Sequence, residues 1–393
     1  MMLSNRGVTY INACPGDGVQ SLRVVGARIT AINVPAVTGD TVVDLRGARL
    51  LPGLINAHDH LQLNTLPALD PAKRYGRAHE WILEVDRRRR TDANFEALVA
   101  VPRNDRLLVG GIKNLLSGVT TVAHHDPLYP FLLDGCFPTR VVTNCGWSHS
   151  LYIDGEDAVR DSCRSTPPDR PWIIHAAEGT DAESAREFDR LEALGCVRDN
   201  TLIVHGLALD ARQRSRLDRA NTGLVWCPSS NLRLFGQTAD VEWLIQRGRV
   251  TLGTDSRLSG ARDLLDELRI ARECSQLSES LLESLVTRRA AGLLRLADRG
   301  VLAPGLLADL VVVPADRPLS SCGRTDIELV VIDGIPRYAH EVHAEVLAPQ
   351  GFWTQIRVDG HARMLASPLA RALCAARCGE AGVDIADLKW RAA

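Results

Sequence analysis

Leu51-Pro52-Gly53-Leu54-Ile55-Asn56-Ala57-His58-Asp59-His60-Leu61 is the stretch on which the fold turns. Leu54 and Ile55 read as the end of a buried strand. Residues i and i+2 of a strand share a face. His58 and His60 therefore point at one centre, and Asp59 points away. Two imidazoles converging at the C-terminal end of a strand make half of a metal site. Alone, a His-x-His pair is also compatible with two ordinary core histidines, so the later chain has to decide.

Three later segments repeat the design of an apolar run ending in a titratable residue. They are Trp172-Ile-Ile-His175, continuing to Glu178; Thr201-Leu-Ile-Val-His205; and Val250-Thr-Leu-Gly-Thr-Asp255. A parallel barrel strand looks like this where it reaches the catalytic mouth. Each one singly reads equally well as a satisfied core histidine or a helix-capping aspartate. Together, in this order, they predict an α/β chain folded as a (β/α)8 TIM-type barrel.

With these segments in view, the chain resembles the amidohydrolase superfamily. The branch is that of cytosine-deaminase-like, chlorohydrolase-like and S-adenosylhomocysteine-deaminase-like enzymes. The likeness is carried by Pro52-Gly-Leu-Ile-Asn-Ala-His-Asp-His60, Gly118-Val-Thr-Thr-Val122, His175-Ala-Ala-Glu178, Val204-His205-Gly206, Cys227-Pro-Ser-Ser-Asn231-Leu-Arg-Leu234, Gly253-Thr-Asp255-Ser256 and Pro304-Gly-Leu-Leu-Ala-Asp309. It runs from about the first strand to around residue 335.

The resemblance implies a site. His58, His60, His175 and Asp255 would hold one divalent metal, zinc first, with iron also suited to a nitrogen-rich set. Such an ion lowers the pKa of bound water from about 15.7 towards about 7, so hydroxide can attack a C–N bond at neutral pH. Glu178 would move the protons, taking one from water and giving one to the departing nitrogen. His205 would face substrate or water, and Asp255 would also orient the water. Binuclear relatives use a carboxylated lysine from the fourth strand. The only lysines here are Lys73, Lys113 and Lys389, so that device is missing and one metal is expected. A second metal bridged by Cys145 or a carboxylate stays open. Gln62, Trp81, His125, His149 and Asn231 are the candidate substrate contacts, and Asn231 reads more readily as a brace for its loop than as a substrate contact.

Bulk properties narrow the partners to a small-molecule substrate. A formal net charge of −2 points to neither nucleic acid nor an anionic membrane surface. No apolar run is long enough to span a bilayer, and no secretory signal opens the chain, so a cytoplasmic protein is expected. The 10 cysteines are scattered without a Cys-x-x-Cys pair and read as mostly buried thiols. Arg87 to Arg90 read as a solvated helix end. A homodimer is left open.

The expected organisation has four parts. Residues 1–51 and 303–350 hold short β-like runs that, by the resemblance, pair into a small β-sandwich. Residues 52–302 form the barrel. Residues 351–393 are a tail, expected to be helical around Pro368–Cys378. Arg140-Val-Val reads as a third strand. Too little chain follows before His175 for a full strand–helix–strand passage, so the fourth strand is expected to be compressed or fused with residues 147–153. Helices are expected over 182–195, 263–277 and 281–296.

The leading function is hydrolytic deamination of a nitrogen-rich heterocycle. Opening a cyclic amide or displacing halide would use the same metal site, because leaving-group choice lives in the loops. An inactive binding or assembly relative is the alternative from another class.

Overall fold

The computed structural model describes residues 6–70, 72–348 and 351–385. Parallel β structure lies at its centre. Leu54–Asp59, Val119–His124 and Arg140–Val141 form a three-stranded sheet. Gly146–Ser148, Trp172–Ala176, Thr201–His205, Gly223–Trp226 and Val250–Leu252 form a five-stranded one. All neighbours in both run parallel. Strands covered on both faces need apolar or satisfied side chains throughout. Accordingly, every residue of Leu54–Asp59 and of Val119–His124 is buried. A parallel bridge from Asp59 to Asp255 joins the first strand to the segment just past the last.

Helices alternate with these strands, and their starts are legible. Asp181, Asp210 and Asp263 accept first-turn N–H groups of Ala182–Ala193, Ala211–Arg219 and Leu264–Glu273. The helix expected over 281–296 is broken into Glu279–Leu285 and Arg288–Leu293. Ser284 and Thr287 donate their hydroxyls back to the carbonyls of Leu281 and Glu283. Such bonds compete with the helix, and Thr287 leaves it at φ −130° and ψ −108°.

The compression near residue 145 takes a specific form. Arg140–Val141 pairs with the Val119–His124 strand, and Gly146–Ser148 pairs with Trp172–Ile174. Only residues 142–145 lie between, so no helix crosses there. One stretch of chain serves two strand positions and changes partner midway. The segment beyond it is not strand: Leu151–Asp154 is a helical turn capped by Ser150.

Both chain ends build antiparallel sheet. Val8–Ile11, Leu22–Val25, Arg28–Ile32 and Thr41–Asp44 make a four-stranded sheet, in which Val8–Ile11 also pairs in parallel with Thr41–Asp44. Arg49–Pro52 instead joins a seven-stranded sheet through Leu310–Val313. Tyr10, Leu22, Val43, Leu310, Val312 and Leu329 share one buried apolar cluster between the two sheets.

The tail departs from the expected helix. Trp353–Val358 and His361–Ala366 form an antiparallel hairpin within the seven-stranded sheet, and the helix is confined to Ser367–Ala375. The overlooked signal is Asp359-Gly360, a two-residue turn with φ of 49° and 84°. A Cβ on Gly360 would meet nothing within 4 Å. Gly360→Ala should therefore meet no clash but carry the strain of a left-handed alanine, about 1–2 kcal/mol, read from the urea midpoint. Residues 386–393 of the expected tail lie outside the described residues. Buried Glu380, near the tail's end, pairs with Arg324 and with Arg257, two residues past Asp255. All cysteines are free, but only Cys163, Cys196, Cys227 and Cys322 are buried, fewer than expected.

Candidate active site

Side chains from four strand ends meet. His175 Nε2 lies 3.2 Å from His58 Nε2 and 3.3 Å from His60 Nε2. Asp255 Oδ1 is 3.5 Å from the first and 3.7 Å from the second. Glu178 Oε1 stands 3.6 Å from His205 Nε2 and accepts the Trp81 indole N–H at 3.3 Å. Asp59 points away, as the strand alternation requires, onto the buried Lys113.

The outer atoms are anchored. His60 Nδ1 bonds Asp126 at 2.7 Å, and Gln62 donates to the same oxygen. His175 Nδ1 donates to the His149 carbonyl at 2.8 Å, and His205 Nδ1 to Asn231 Oδ1 at 2.9 Å. Ser259 donates to Asp255 Oδ2 at 2.6 Å. Each of these imidazoles is thereby oriented with Nε2 towards the centre. The backbone is strained at the same place: Ala177, His205 and Asp255 have φ of 53°, 72° and 59°. Left-handed non-glycine residues cost about 1–3 kcal/mol each and cluster at functional sites. Glu187, pushed up to about 7 by burial, accepts the Ala177 N–H at 2.7 Å and braces the turn that delivers Glu178.

The electrostatics suit a cation. Burial pushes His58 down to about 4 and His175 well below the usual imidazole range, leaving lone pairs free. Burial would also depress His60, but Asp126 outweighs it and holds the ring up at about 9; a cation on Nε2 would displace that proton. Burial would raise Asp255, yet His58, His205 and His60 hold it well below the usual carboxylate range. Burial raises Glu178 above the usual glutamate value. Two overlapping groups have all their ligand atoms within 4.8 Å of one another: His58, His60, His125 and His175, and His58, His175, His205 and Asp255. Imidazoles with one ionised carboxylate are a fitting donor set for a divalent metal.

A cavity of about 310 Å³ opens onto this cluster. His60, His175, Glu178, His205 and Asp255 line it, and Leu63, Trp81, Ile82, Val85, Ile153 and Leu258 supply apolar wall. Gln62 and His149 line it too. His125 and Asn231, expected as substrate contacts, do not line it. His125 is buried against the His58 and His175 rings, with centroids 5.0 and 4.4 Å away. Asn231 is buried on the Pro228–Phe235 helix and accepts the His205 Nδ1–H, a partner the sequence did not offer. Cys145 bonds the Val142 carbonyl and joins neither metal-holding group among the described residues.

Three contributors were missed in the sequence. Asp126 directly follows the His124-His125 pair, and Ser259 lies one helical turn past Asp255. Glu187 sits on the Ala182–Ala193 helix at a position that gave no signal.

The model of the amidohydrolase family matches residues 169–335. A 5-methylthioadenosine/S-adenosylhomocysteine deaminase of Haloarcula marismortui is 26% identical over 341 residues, 74% of this chain and 78% of that protein. An 8-oxoguanine deaminase of Pseudomonas aeruginosa is 33% identical over 158 residues, 36% of this chain and 35% of that one. The zinc complex of atrazine chlorohydrolase from Arthrobacter aurescens superposes with a TM-score of 0.69 at 18% identity, covering 87% of this chain and 99% of that one. A zinc-bound adenosine deaminase from Xanthomonas campestris gives 0.69 at 18%, covering 88% and 97%. These structures imply a TIM-barrel-like fold. No helix among the described residues is long and apolar enough to cross a membrane. The chain thus matches the amidohydrolase family over residues 169–335 and is similar to a named deaminase over 74% of its length.

Proposed function

We propose that this protein is a metal-dependent aminohydrolase releasing ammonia from a nitrogen-rich heterocycle. The observation that carries the reading is a buried carboxyl, Glu178, facing His205 in the cavity that the histidine–aspartate cluster floors. His58, His60, His175 and Asp255 would hold the ion, zinc in this reading. Bound there, it would supply Lewis acidity and lower the pKa of water from about 15.7 towards about 7.

The chain's own groups do the rest. Glu178 Oε1 takes a proton from water when ionised and returns one to the departing nitrogen. The Trp81 N–H holds that carboxylate in place. His205, pinned through Nδ1, presents Nε2 to the ring being attacked. Asp255 Oδ1 accepts a hydrogen bond from the water, and Ser259 fixes its other oxygen. Among the described residues the walls are largely apolar and carry no lysine or arginine, so a flat, uncharged ring fits better than a phosphorylated compound. The named activities of the deaminase relatives support the same class. In this reading the parallel strands close into one ring over residues 52–302. The sheets from 1–51 and 303–350 form the accessory β-sandwich, which the tail hairpin extends.

The test is ammonia release across purines, pyrimidines and triazines, by enzyme stripped of metal and reloaded with zinc or iron. Ammonia appearing only after reloading supports the reading. Chloride release or ring opening without ammonia would replace it with the halide or cyclic-amide reaction. Fully loaded protein with no turnover of any compound would favour the inactive relative. His60→Ala should purify with little metal by elemental analysis, and a loaded, active variant would contradict its role.

A further inference from the structure

We propose that Glu380 is a positioning residue for Asp255: through Arg257 it clamps the loop 255–262, so the tail helps to build the active site. The inference rests on the aminohydrolase reading above, in which Asp255 holds the ion and orients water. The need for a clamp is local. Asp255 has φ of 59°, a left-handed conformation that a non-glycine residue keeps only where its surroundings over-determine it. Inside the loop, Ser259 donates to Asp255 Oδ2, and the Arg257 N–H donates to Asn64 Oδ1 at 3.1 Å. Leu258 lines the cavity. Displacing this loop therefore moves the carboxylate, its hydroxyl partner and part of the pocket wall together.

The outer side of the loop is held by charge. Arg257 Nε donates to the Arg262 carbonyl at 2.9 Å, closing the loop on itself. Both terminal nitrogens of Arg257 bond Glu380, Nη1 to Oε2 at 2.8 Å and Nη2 to Oε1. A two-point guanidinium–carboxylate pair fixes direction as well as distance. Glu380 is buried, so water competes little for it. Its own place is fixed by Arg324 Nη1 at 2.5 Å and by Val383–Asp384, which pairs with Trp353–Val358. A Cβ on Gly382 would lie 2.2 Å from Asp359 Oδ1 and 2.8 Å from Arg262 Nη2, so the tail backbone is pressed against the same group of charges. Arg257 and Arg324 share one carboxylate, but only Arg257 belongs to the loop.

That difference makes Arg324 the control. Arg257→Met and Arg324→Met each leave Glu380 with one arginine, and both should lower the urea midpoint. With the compound found by the panel above, Arg257→Met should lower kcat by about 10–100-fold, more than it raises KM, while Arg324→Met stays within about twofold of wild type. Hydrogen exchange of the backbone amides of residues 255–262, measured on the full chain, needs no substrate. It should quicken in Arg257→Met and in Arg257→Lys, which keeps the charge but not the two-point geometry, and hold the wild-type rate in Arg324→Met. The lysine variant carries the test if the methionine variant does not fold. Equal loss of kcat in the two methionine variants would overturn the proposal, as would wild-type exchange over 255–262 in every folded Arg257 variant. Wild-type protein that releases no ammonia from any compound would instead sink the aminohydrolase reading and leave the exchange result standing.

Discussion

Glu178→Gln should keep its metal and lose turnover by about 10²–10⁴-fold, the range that positioned acid–base groups contribute. The substitution preserves shape and can still accept the Trp81 N–H, so the pocket should survive. What disappears is a group able to bind and release a proton. The same residue sets the sign of the pH dependence. Burial raises its pKa above the ordinary 4.5. The carboxyl must be ionised to accept the proton of water, so kcat/KM should rise with pH through that elevated value. The residual activity of Glu178→Gln should lack this limb. Elemental analysis and kcat/KM profiles of the two proteins check both statements. A fully loaded variant with wild-type turnover would remove Glu178 from the mechanism.

The site was legible because its chemistry sits where strand periodicity ends. His58, His60, His175, His205 and Asp255 each close an apolar run, and parallel strands bring all such ends to one face. Glu178 was reached through the family likeness rather than through periodicity. The directions of side chains on loops were not legible. His124 and His125 are adjacent, and only the fold shows that His125 packs against the His58 and His175 rings. Asp126 could be assigned no partner until the His60 loop was placed beside it.

Architecture failed to read through for similar local reasons. The chain between Arg140 and Ser148 looked too short for a strand–helix–strand passage, and it is. The sequence could not show that one stretch would then pair with two different strands. In the tail, a helical reading over Pro368–Cys378 drew attention from Asp359-Gly360, although that dipeptide is a strong hairpin signal. The Arg257–Glu380 contact, which ties the tail to the loop after Asp255, spans 123 residues and has no local signature.

Lys113 entered the sequence argument only as a lysine too early in the chain to bridge two metals, yet its replacement should have the largest effect on stability. Its Nζ lies 2.9 Å from Asp59 Oδ2, and both side chains are fully buried. Asp59 sits between His58 and His60, so the pair anchors the back of the strand whose front carries those two imidazoles. Burial alone would raise the Asp59 carboxyl; Lys113, Asn114 and Asn64 together hold it below the usual range. Lys113→Ala leaves that carboxylate with amide and hydroxyl donors but no countercharge. Breaking one side of a buried ion pair costs about 3–5 kcal/mol. The urea midpoint should fall accordingly, and metal affinity should fall with it, because the strand end loses its fixed alternation. Lys113→Met combined with Asp59→Asn removes both charges and should recover most of the loss, because no uncompensated charge remains. A cost below about 1 kcal/mol for Lys113→Ala, the scale of exposed pairs, would show that Asp59 is not held dry beneath the site.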